Sequence, residues 1–213
     1  RGQAHAARAT RAGRRAVVYV PKGNSSEKNA AVRAFGAELR EHGDDFDTAR
    51  QEAMRAARDE GLFPVPPFHR ELVRGVATYG LEFLRAAPPL DAVYVPIGCG
   101  SGICGVIAAR DALRLGTRVI GVVSAQAQGA KLSYDTGRIT ETNSARTFAD
   151  GMAVRVPVPA ALDIYRAGAA GVVAVSEAGI AEAVRLFFTA THNIAEGAGA
   201  AALGDVVGGG EEK

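Results

Sequence analysis

The sequence predicts an α/β protein with parallel sheet, arranged as two lobes. Three observations lead there. Short β-branched runs alternate with amphipathic stretches of helical length, which argues for strands crossed over by helices. One uninterrupted strand, glycine loop, helix, strand unit occupies residues 90–124. Pro64, Pro66 and Pro67 break the pattern once, which makes 64–69 the crossing between lobes and predicts a smaller lobe over 1–67 and a larger one over 68–213.

Taken in order, 2–12 is alanine-rich and helical in propensity, and 15–20 (RAVVYV) is a buried strand closed by Pro21. Ser25 and Ser26 are N-cap candidates for a helix over 27–35 that Gly36 stops, followed by a second strand at 37–41. Residues 44–60 carry acids first and arginines last, the order the helix dipole favours, and Gly61 ends that helix; 62–65 then reads as a third strand. The larger lobe opens with a long helix over 70–86. A buried strand at 90–97, the loop 98–102, a helix over 103–113 and a strand at 118–124 follow. A strand at 171–175, an amphipathic helix over 177–191 and a glycine and charge tail over 205–213 complete the reading.

Composition removes several classes. The chain has 213 residues, 25 Lys+Arg against 23 Asp+Glu for a net charge of +2, and 47% hydrophobic residues, which excludes a disordered polyelectrolyte. No stretch reaches the roughly 20 apolar residues of a membrane span, and residues 1–15 lack the apolar region of a secretory signal. Basic residues are spread along helices without interleaved aromatics, so nucleic acid is not an expected partner. Cys99 and Cys104 form neither a disulfide framework nor a metal pattern, which fits a reducing, cytoplasmic compartment. They read as small space-fillers. His5, His42 and His69 share no metal-ligand spacing. Asp150 reads as a turn residue before Gly151, and His192 and Asn193 as helix-end residues.

The strongest local motif is Gly98-Cys99-Gly100-Ser101-Gly102, continuing through Gly105, placed after a strand and opening a helix. Glycines there let backbone N–H groups form an anion nest, the helix N-terminus favours a phosphate, and Ser101 would add a hydroxyl donor. No Lys-Ser/Thr pair follows, and the glycine spacing is not G-x-G-x-x-G. The pattern alone leaves open a second reading, in which the glycines only permit close helix–strand packing.

Five segments, in order, resemble the pyridoxal-phosphate enzymes of fold type II, the tryptophan synthase β superfamily, and within it the threonine/serine dehydratase branch. Gly2-Gln3 before an alanine-rich helix resembles the end of the family's Ser-Gly-Asn-His-Gly/Ala-Gln motif. Val20-Pro21, Lys28 and the stretch from Arg33 to Glu38 (RAFGAE) are similar to its "VP…K…R-x-x-GA-E" stretch. Val95-Pro96-Ile97 with 98–102 resembles its cofactor-phosphate loop. Residues 148–154 (FADGMAV) resemble its Ala-Asp-Gly segment, and Glu196 to Ala201 (EGAGAA) its Glu-x-x-Gly-Ala helix start.

The resemblance implies a two-lobed, parallel-sheet fold that binds pyridoxal 5'-phosphate in the cleft between lobes through Gly98, Cys99, Gly100, Ser101 and Gly102. It implies that Glu196 orients the cofactor; a cap on the alanine helix that follows is the other reading. The implied reaction is an ammonia-lyase one, in which a Schiff-base lysine takes the Cα proton and water and ammonia leave serine, threonine or a related amino acid. Three departures bear on it. The family's Ser-x-Lys segment lies upstream of the motif in which these residues begin, and Lys22, Lys28, Lys131 and Lys213 match no family position, so catalytic residues stay unassigned and the chain is expected to be inactive alone. The family's Ser-Gly-Gly-Asn strand is not found after Leu203, which makes the expected fold incomplete at both ends. Val123 stands where the family often has a metal-binding glutamate, so no cation site is expected. The alternative is a non-catalytic or repurposed homologue, a binding or interaction module or one half of a split enzyme whose lysine comes from another chain; the expected partners are an amino-acid substrate or analogue and a second copy or a complementing chain.

Overall fold

The computed structural model describes residues 2–207 and divides into two compact units, the first ending at Val65 and the second beginning at Pro66. In the first, β1 (Val17–Val20) and β2 (Glu38–Glu41) pair in parallel with Val17 opposite Glu38. A parallel pair requires a crossover, here α2 (Ser26–Ala34). The Ser25 hydroxyl oxygen accepts the Lys28 N–H at its start, and Gly36 turns the chain at φ +84° after its end. α1 (Gly2–Arg11) and α2 cover one face, burying Ala6, Val32 and Ala37 against Val18 and Leu39. α3 (Phe46–Asp59) begins where the Asp45 carboxylate accepts the Thr48 N–H at 2.8 Å, two residues later than the acid run suggests.

The second unit places β3 (Ala92–Pro96), β4 (Arg118–Ser124) and β5 (Gly171–Val175) in one parallel sheet of that order. Its side chains obey the period of two that a strand imposes. Val93, Val95, Val119, Val123, Val172 and Ala174 enter one core, with Ile103, Val106 and Ile107 of α5 (Ser101–Ala112) and with Leu162 and Tyr165 of α7 (Pro159–Gly168). Tyr94, Val122, Val173 and Val175 enter the other, with Ile180 of α8 (Glu177–Thr191) and Ala198 and Ala201 of α9 (Gly197–Val207). Helices therefore cover both faces, as buried parallel strands require. α4 (Arg70–Ala86) lies outside α5. The two approach closely at glycine: a Cβ on Gly105 would sit 2.9 Å from Val76 Cγ1 and 3.0 Å from the Ala77 nitrogen.

Four expectations are corrected. Residues 62–65 form no strand: Pro64 has no N–H to give a ladder, and Phe63 is 87% exposed. α6 (Gly129–Thr136) and α7 are helices that the strand-to-strand pattern did not reveal, and Lys131 sits on α6. Residues 205–207 continue α9; the rest of the expected tail, 208–213, lies outside the described residues. α5 starts at Ser101, not 103, because Gly100 serves as its N-cap.

Candidate anion site at the carboxyl edge of the sheet

The chain leaves β3 through Ile97, whose N–H donates to the Val122 carbonyl at 2.8 Å, and enters the glycine loop at the carboxyl end of the strands. Gly100 takes φ +90°, ψ −6°, a left-handed conformation that suits glycine. Beside it, a Cβ would stand 2.6 Å from Ala161 Cβ, so α7 closes that side. No side chain caps α5, whose first turn, the part of a helix that leaves N–H groups without intrahelical partners, lies at the carboxyl edge of the sheet. An added Cβ at Gly102 would make only ordinary contacts, 3.9 Å from Val95 Cγ1 and from the Pro96 carbonyl oxygen, so a methyl group fits there without displacing a neighbour. Ser101 is buried in the first turn, and Cys99 is half-buried in the loop. The turn without a side-chain cap and its dipole fit a phosphate.

Two further segments close on the loop. A Cβ on Gly98 would overlap the Gly151 carbonyl oxygen, which puts the 3-10 turn Asp150–Met152 directly on the loop backbone. A Cβ on Gly151 would stand 3.5 Å from Glu196 Oε1 and 2.9 Å from Ala198 Cβ. Glu196 is therefore carried to the same corner by the start of α9, where its carbonyl also accepts the Ala200 N–H at 2.9 Å. Gly98, Gly100, Ser101, Gly102 and Glu196 share one edge of the second unit, and Asp150 stands exposed in the turn that bridges them.

Ser124, Thr147 and Glu177 escaped the sequence reading. The Ser124 hydroxyl, fully buried at the end of β4, donates to Glu177 Oε1 at 2.6 Å, and the Phe148 N–H donates to Oε2 at 3.0 Å. Burial pushes the Glu177 carboxyl up, but hydrogen bonds from Ser124, Thr147 and the Phe148 N–H outweigh it and hold the group below the usual carboxylate range. The only sequence signal was an acid directly after Ser176, which reads as an ordinary helix start.

The remaining candidates fall elsewhere. Burial pushes the Cys104 thiol up to about 12, and its Sγ lies 3.6 Å from the Ala161 carbonyl, which suits a packed, unreactive thiol. Lys22 follows β1, Lys28 lies on α2, and Lys131 pairs with Asp135 at 2.7 Å; Arg1 and Lys213 lie outside the described residues. His192 ends α8 in a left-handed conformation at φ +56°. Among the described residues no group of three His, Cys, Asp or Glu could hold a metal ion, and no helix is long and apolar enough to cross a membrane. Two surface recesses lie away from the loop, one of about 460 Å³ lined by Tyr134, Leu162, Asp163 and Arg166, the other of about 610 Å³ along α4. Both are open grooves.

Residues 1–207 match the family model described as pyridoxal-phosphate dependent enzyme. The chain belongs to that family. It is 36% identical over 187 residues to the L-threonine ammonia-lyase of Geobacter sulfurreducens and 33% identical over 193 residues to the catabolic L-threonine dehydratase of Escherichia coli K12. These alignments cover 87% and 90% of this chain but 46% and 59% of those relatives, so it spans about half their length. The crystal structure of a T.th. threonine deaminase superposes with a TM-score of 0.89 at 32% identity, covering 98% of this chain and 69% of that one. The chain is thus a fold type II member of the threonine/serine dehydratase-like branch, whose cofactor is pyridoxal phosphate. These two relatives by name act on L-threonine.

Proposed function

We propose that this chain is the cofactor-binding part of a pyridoxal-phosphate-dependent dehydratase that removes water and ammonia from a hydroxy amino acid such as threonine or serine. The observation that carries it is the uncapped start of α5, with Gly100 left-handed at the carboxyl edge of three parallel strands, where ligands of open α/β sheets bind. The backbone N–H groups of Gly98, Cys99, Gly100, Ser101 and Gly102 hold the phosphate dianion. Glu196 orients the group from the α9 side. When bound, the cofactor supplies the electron sink for chemistry at the substrate's Cα. The larger unit carries the phosphate, and the smaller one, which the sequence reading ended at 67, serves as the mobile lobe.

The 213 residues taken by themselves bind the cofactor without turning substrate over, since none of their four lysines occupies the family's Schiff-base position. The lysine is supplied from outside these 213 residues. In support, β3 and β5 each have a partner on one side only among the described strands, and such edges call for cover. A cytoplasmic location accords with two cysteines that form no disulfide.

Titrating the chain with pyridoxal phosphate tests this reading. Uptake is expected, seen in the visible absorption and in the phosphorus resonance, and Gly102→Asp should weaken it by about tenfold or more through like-charge repulsion. An aspartate in the first turn of a helix suits its dipole, so the fold survives the change. No uptake, or uptake indifferent to Gly102→Asp, overturns the reading. A borohydride-reducible band together with 2-oxo acid release by the chain alone would overturn its dependence on a further lysine.

A further inference from the structure

The 148–152 segment covers the glycine loop but belongs to no sheet, and the chain reaches it through an irregular stretch after α6. Something must hold it at the sheet edge. Glu177 stands at the first position of α8, immediately after β5 and the capping Ser176, whose side chain accepts the Gly179 N–H at 3.1 Å. Both of its carboxylate oxygens are engaged over long sequence distances. One takes the hydroxyl of Ser124 at the end of β4, 53 residues away; the other takes the N–H of Phe148, 29 residues away. The Thr147 side chain bonds the same carboxylate, and the Thr147 hydroxyl oxygen accepts the Ala149 N–H at 3.1 Å. Ser124 is fixed in turn, because its oxygen also accepts the Gln126 N–H at 2.9 Å.

An acid whose only role was to complement the α8 dipole would not need these partners. Here it fastens the ends of two neighbouring strands to the residues that lead into the 3-10 turn. Two residues on, the Ala149 carbonyl accepts the Met152 N–H at 2.8 Å, and the Gly151 carbonyl lies against Gly98. The path from Glu177 to the loop runs through backbone, with little slack.

We propose that Glu177 is a positioning residue for anion binding at the glycine loop: it seats residues 147–152 on Gly98 and thereby sets the conformation in which the N–H groups of 98–102 converge. This rests on the cofactor reading above for the identity of the anion.

The test is amide hydrogen exchange on the full chain, with pyridoxal phosphate titration in parallel, for Glu177→Gln and Thr147→Val. Glutamine keeps the shape but places an amide against a donor, and the loss of a charge-assisted bond should speed exchange at 98–102 and 148–152 by about tenfold. Thr147→Val, on the loop side and with little risk to folding, should give a smaller change of the same kind. Exchange in β1 and β2 of the first unit should not move, and cofactor affinity should fall with the acceleration. Unchanged exchange at 98–102 in both variants, or a uniform rise across the second unit, overturns the proposal, as does faster loop exchange without loss of affinity. Failure of the unaltered chain to take up cofactor overturns the reading of the site instead.

Discussion

Gly98 and Gly102 stand four residues apart in one motif and are glycine for different reasons. At Gly98 a methyl group would run into a backbone carbonyl, which cannot swing aside as a side chain can; at Gly102 it would meet nothing closer than 3.9 Å. Gly98→Ala should therefore cost about 3 kcal/mol in urea unfolding, at the upper end of overpacking penalties. Gly102→Ala should leave stability unchanged or slightly raised, because alanine favours a helix. Equal effects of the two would remove this assignment of roles. The motif itself was legible in the sequence as a run of glycines after a strand. Which glycine abuts a neighbouring backbone and which has room for a methyl group was not, because the contact that decides Gly98 comes from Gly151, more than 50 residues downstream.

The elements that sequence patterning identified best are those whose own composition decides them: β-branched strands in a double-faced core, and helices with a Ser or Asp cap. Where an apolar run was read without its prolines, at 62–65, the reading failed for want of backbone donors. α7 had a signal that went unused, a proline at its first turn with Ala161, Leu162 and Tyr165 on one face. α6 is short, lacks a side-chain cap and offers none. The α4–α5 pair shows how packing adds a demand that propensity does not contain. In an isolated helix Gly105→Ala would gain up to about 1 kcal/mol, yet against the backbone of Ala77 it should destabilise by about 1–3 kcal/mol. A thermal or denaturant midpoint that rises on this change would show that the helices can separate without cost.

The whole chain folds as two units joined through proline-rich extended chain. Phe63 is 87% and Val65 52% exposed, whereas the irregular stretch after α6 is tethered, with the Thr140 N–H on Ser133 Oγ at 2.8 Å and the Thr142 N–H on the Arg155 carbonyl at 3.2 Å. A broad-specificity protease at low ratio should cut first within 61–69 and release two fragments matching the units, identifiable by mass. A first cut after α6 would show that the tethered stretch opens more readily. By itself the sequence determined the alternation of strands and helices, the place of the glycine loop at a strand end, and the family, because each is written in local periodicity or in short motifs kept in order. The tertiary structure alone decided that Gly98, Gly151 and Glu196 share a corner and that Glu177 fastens it. Those contacts join residues far apart in the chain, and local composition holds no record of what the folded sheet brings opposite them.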